Sequence, residues 1–138
     1  MFVLRLASLS ALLFFVSPLW AADAVAPHTL RYTSLSNGRA AGSEVDVYSP
    51  SGQIDCTFEF NDRGRGPKIV AHYLVAADGS PSRADVTGND YLKAPVDEHF
   101  AVENGMAHWK STSENAQAPA AGFYISNNGP AVESALVA

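Results

Sequence analysis

From Gln53 to Phe60 polar and apolar residues alternate: Ile54, Cys56, Phe58 and Phe60 fall on one side of an extended chain, Asp55, Thr57 and Glu59 on the other. Such a strand has one dry face and one wet face, as in an antiparallel sheet covered on a single side. Strands buried on both faces read instead as unbroken apolar runs. Turn-forming residues recur at short intervals: Ser36-Asn37-Gly38, Ser49-Pro50-Ser51-Gly52, residues 61–67, Ala77-Asp78-Gly79-Ser80-Pro81 and Glu103-Asn104-Gly105. They supply the fixed or positive φ that tight reversals need. Between them the pattern predicts strands over 30–35, 44–48, 53–60, 69–76, 83–88, 99–103, 106–112 and 122–126. The expected fold is mainly β, an antiparallel up-and-down meander forming a curved sheet or partial barrel.

Three segments interrupt that pattern. Residues 89–98 contain Asn89-Asp90-Tyr91 and Ala94-Pro95 and read as a loop, because the residue before proline avoids helix and proline cannot donate to a ladder. Residues 113–121, polar and alanine-rich with Pro119, also read as a loop. Residues 130–138 predict a short C-terminal helix: Pro130 suits the first helical position, and Val132, Leu136 and Val137 fall near one face. No capping residue stops that helix, so the β-rich domain, 25–138, is expected to be incomplete.

The first 24 residues belong to a different class. Arg5 precedes an apolar run over 6–20, shorter than the roughly 20 residues a bilayer span requires. Ala22-Asp23-Ala24 then offers a small-x-small cleavage site. The segment is expected to be a helical signal peptide, and the rest a periplasmic or secreted protein that meets the membrane only through this segment before cleavage. With Cys56 the sole cysteine, no disulfide can form within the chain, and the fold must rest on packing. Alternation places Cys56 inward, as a buried thiol with no adjacent cation to stabilise a thiolate. The 138 residues carry a formal net charge of −5, which repels phosphate backbones, so nucleic acid is not an expected partner.

Candidate chemistry is sparse. His28, His72, His99 and His108 lack the spacing of metal ligands and read as structural or solvent-facing residues. The segment Asp62-Arg63-Gly64-Arg65-Gly66-Pro67-Lys68 resembles an anion-binding loop but lacks the Gly-Lys-Ser/Thr ending and the following helix, and reads better as a solvated hairpin tip. Residues 88–98 gather Asp90, Asp97 and Glu98 with Tyr91 and Lys93, yet paired carboxylates catalyse only where their environments separate their pKa values. No Gly-x-Ser-x-Gly elbow occurs, and Cys56 has no evident base. Accordingly no catalytic residue, metal ligand or cofactor is assigned. Phe58, Phe60, Tyr73, Phe100, Trp109 and Phe123 are the expected lining of the concave side if a ligand binds there.

The order of segments carries a family resemblance. Residues 58–68, then 86–98, then Trp109-Lys110-Ser111 and Phe123-Tyr124-Ile125-Ser126, resemble the β-rich N-terminal region of secreted amidohydrolase-family proteins of Gram-negative bacteria, over most of the mature chain. The resemblance implies a hydrolase label, for enzymes acting on C–N bonds, whose metal-dependent barrel with its His-x-His pair lies downstream. This chain contains no His-x-His, so no catalytic position carries over. The first functional expectation is therefore an exported, non-catalytic scaffold or access module. Its partner would be a missing C-terminal catalytic domain, or a second copy through an open sheet edge. The alternative expectation is a free-standing periplasmic half-barrel that binds an apolar small molecule or lipid. A complete small hydrolase is a third reading.

Overall fold

A computed structural model describes residues 26–122 and 124–136. Within them the chain forms one open sheet of eight antiparallel strands in sequence order. These are β1 (His28–Ser36), β2 (Arg39–Tyr48), β3 (Gln53–Phe60), β4 (Lys68–Val75), β5 (Pro81–Asn89), β6 (Pro95–Glu103), β7 (Met106–Lys110) and β8 (Asn115–Pro119), followed by one short helix, α1 (Val132–Leu136). The up-and-down meander expected from turn spacing is the fold. The expected signal peptide, 1–24, lies outside the described residues.

Three segments differ from the sequence pattern. The segment 113–121, expected to be a loop, supplies β8, because the hairpin bond from Ser111 N–H to the Glu114 carbonyl sets up pairing of Asn115–Pro119 with β7. Its proline closes the strand at Pro119, opposite Met106, on a sheet edge where a missing donor is tolerated. Conversely, residues 124–126, expected to be a strand, pair with no strand. They begin a return segment that crosses back over the sheet. The loop expected over 89–98 shrinks to the turn between Asn89 and Pro95, where the Asp90 carboxylate accepts from Leu92 and Ala94 N–H.

Register fixes the faces. Asp46 lies opposite Cys56, Cys56 opposite Ala71, Ala71 opposite Val86 and Val86 opposite Glu98. This inner row is flanked by Ile54, Ile69, Tyr73, Ala84, Val96 and Phe100, all buried. The covering layer is the return segment, whose Val132 enters the same core. Burying each large apolar side chain contributes roughly 1.5–3 kcal/mol, which a chain without disulfides must obtain from packing. The outer face stays wet.

At one end of the sheet the two loops singled out from the sequence dock on each other. Gly66 N–H donates to the Tyr91 carbonyl, Lys93 Nζ donates to the Gly66 carbonyl at 2.7 Å, and Tyr91 Oη donates to Asp62 at 2.7 Å. Arg65 lies 5.6 Å over the Tyr91 ring. Gly66 adopts φ 128°, and a Cβ there would strike the Phe60 carbonyl, so glycine is required. The amides of Gly64, Arg65 and Gly66, which an anion would need, are spent on Asn61, Asp62 and Tyr91.

Candidate functional site

Three inward carboxylates tie the return segment, residues 124–136, to the sheet. Glu44 on β2 accepts from Ala131 and Val132 N–H at 3.0 and 2.9 Å. Glu98 on β6 accepts from Tyr124 Oη and Asn127 N–H at 3.0 and 3.2 Å. Glu133 on α1 accepts from Tyr73 Oη at 2.9 Å and from Ser126 N–H at 3.0 Å. All three are buried. Burial raises the Glu44 and Glu133 carboxyls above their ordinary range, and the hydrogen bonds only partly oppose it. The segment is therefore a strap running from β6 across to β2.

Beside the strap, over β6 to β8, lies a cleft of about 860 Å³. Phe100, Trp109, Val102 and Ala107 form its wall on the sheet, and Tyr124 and Ala118 close two further sides. Tyr124 stacks on Phe100 with ring centroids 4.6 Å apart. Trp109 is held by a hydrogen bond from its indole N–H to Glu114. Glu98, Glu114 and Lys110 add charge to the lining. Burial and the neighbouring Glu98 push the Tyr124 hydroxyl up, so it remains a donor. An aromatic wall facing a rim of mixed polar and apolar groups, as here, is one form that a small-molecule site takes.

On the other side of the strap, Glu44, Asp46 and Cys56 bring one potential ligand atom each to within 4.8 Å of one another. Asp46 is fully buried, and among the described residues no nitrogen or hydroxyl donor reaches either of its oxygens. Burial, followed by the Asp46 carboxylate, pushes the Cys56 thiol far up. Among the described residues this is the cluster that could hold a metal ion. Sequence reasoning missed it because β2 inverts the usual alternation. Val45 and Val47 carry the apolar pattern, yet the register with β3 turns Glu44 and Asp46 inward. The only signal in the sequence was Cys56, already placed inward.

The histidines do not converge. His72 and His99 stand on the outer face in a cross-strand row running Asp55, His72, Asp85, His99. His72 Nδ1 lies 2.6 Å from Asp55, and His99 lies 2.7 Å from Asp85 and 3.0 Å from Asp97. The hydrogen bond to Asp85 leads in raising His99 above 6.5. His28 stacks on Tyr48 with centroids 4.5 Å apart, and His108 lines a shallow outer groove.

Of the six expected lining residues, Phe100 and Trp109 meet in the cleft, opposite each other in register. Tyr73 lies beneath α1 and is occupied by Glu133. Phe58 and Phe60 are half-buried on the inner face of β3, away from the cleft wall. Phe123 lies outside the described residues. Tyr124, Val102 and Ala107 complete the wall. No protein-family model, curated protein or solved structure matches this chain.

Proposed function

We propose that this chain is an exported binding module that takes a small apolar ligand, preferably one with a ring, in the cleft between β6–β8 and the strap. The observation that carries this reading is the aromatic pair Phe100 and Trp109 on the wall of an 860 Å³ cleft whose third aromatic, Tyr124, is fixed by Glu98. Rings offer large contact area at low conformational cost, and Tyr124 Oη and Lys110 provide polar groups to orient a ligand. Organic extraction of the protein purified from its native host, followed by mass spectrometry, is expected to release one apolar compound in stoichiometric amount. A clean extract, together with no quenching by ring compounds of Trp109, the one tryptophan within residues 25–138, contradicts the reading.

A second reading is favoured by β1, where Leu30, Tyr32 and Leu35 are 38%, 50% and 66% exposed on an edge strand. An apolar edge of this kind fits an access module packed against a downstream amidohydrolase-like domain. In-frame coding sequence with a His-x-His pair beyond Ala138 supports that reading, and a stop codon without one removes it.

A further inference from the structure

We propose that Glu44, Asp46 and Cys56 form a divalent-metal site suited to Zn2+, beneath the strap where it crosses β2 and β3. Pairing of Asp46 with Cys56, and the same-face position of Glu44, bring three donors from adjacent strands toward one point. Their ligand atoms already lie within 4.8 Å of one another, and all three residues are buried.

Asp46 carries the argument. It is excluded from solvent, and among the described residues no nitrogen or hydroxyl donor reaches either of its oxygens and no ion pair involves it, the Cys56 thiol being the one polar hydrogen beside it. A buried carboxylate in that condition is strongly disfavoured, and its nearest neighbours are a second carboxylate and a thiol, neither of which supplies positive charge. Glu44 spends one acceptor position per oxygen on the strap amides and keeps lone pairs free. A cation at the centre provides the counter-charge that the side chains do not.

The donor chemistry selects the ion. A thiolate disfavours Mg2+ and Ca2+, and two carboxylates disfavour Cu+. Zn2+ accepts both donor types, at roughly 2.0–2.3 Å. Binding releases the Cys56 proton to solvent and forms one metal–sulfur bond, with no change of oxidation state. Because Glu44 also holds Ala131 and Val132, the ion would fasten the strap to the sheet.

The test uses the purified chain, stripped with chelator and dialysed, and titrated with Co2+ as an optical probe. A thiolate-to-cobalt charge-transfer band should saturate at one equivalent and vanish on adding Zn2+. Cys56→Ser should remove the band. Asp46→Asn should weaken Zn2+ binding at least roughly tenfold, since even changes behind the ligands cost that much. Zn2+ should raise the Tm of the wild type and leave that of Asp46→Asn unmoved. Circular dichroism identifies variants that fold, and if Asp46→Asn does not, the Cys56→Ser band decides. The proposal is overturned by the lack of a thiolate band, by Zn2+ affinity that both variants retain, or by Asp46→Asn raising Tm equally with and without Zn2+.

Discussion

Tyr73 and Glu133 join the centre of the sheet to the helix through one buried hydrogen bond. Removing the donor in Tyr73→Phe should destabilise the fold by about 1–3 kcal/mol, measured by urea denaturation. Burial raises Glu133 above 4.5, so its proton is held more tightly folded than unfolded. Its contribution is then fully present below 4.5 and is lost as pH rises through the folded value. Tm should fall from mildly acidic toward neutral pH, and Glu133→Gln, which cannot ionise, should flatten that part of the curve. The loss in Tyr73→Phe should be larger at neutral pH, where the hydroxyl serves a charged acceptor. His99 offers an independent check at the surface. Its ring protons should titrate above 6.5 by NMR, and Asp85→Asn should move the midpoint down, because Asp85 is its strongest partner.

Among the elements, the strap matters most, and its geometry depends on Gly129. A Cβ at that position would collide with the Glu133 carboxyl and Ser126 Oγ. Gly129→Ala should therefore lower Tm and raise amide exchange across 124–136, while β3 to β5 remain protected. Legibility differed between elements for related reasons. β3 was recovered to the residue because its alternation is complete, and hairpins along the chain followed from the turns at Asn37-Gly38, Pro50 to Gly52, Asp78-Gly79 and Asn104-Gly105. β8 escaped because Asn115, Ala116, Gln117 and Ala118 carry no strand propensity; pairing with β7 imposes the extended form. The helix of the strap was legible from Pro130 and its apolar face, but the course of the strap across the sheet escaped, because it is held by carboxylates reaching from β2 and β6, contacts between positions far apart in sequence. The cleft was half legible. Phe100 and Trp109 sit on well-patterned strands, whereas Tyr124 acts through a segment that reads as another strand but is not one.

At the scale of the whole molecule, the sheet does not close among the described residues. β1 and β8 are its two ends there, and β1 pairs on one side only and carries exposed Leu30, Tyr32 and Leu35. Such an edge associates unless covered, so sedimentation velocity should show concentration-dependent oligomers that Leu35→Lys reduces. The outer row of Asp and His is wet, and the inner face beside the strap is where the cleft with its aromatic wall lies. The most direct measurement of that claim is titration with the uncharged two-ring fluorophore N-phenylnaphthylamine, comparing the wild type with Ala107→Leu, which fills the cleft wall. If the cleft is a ligand site, the wild type binds at one site, and Ala107→Leu loses binding while its Tm is unchanged or higher. Equal binding by both proteins would contradict the account.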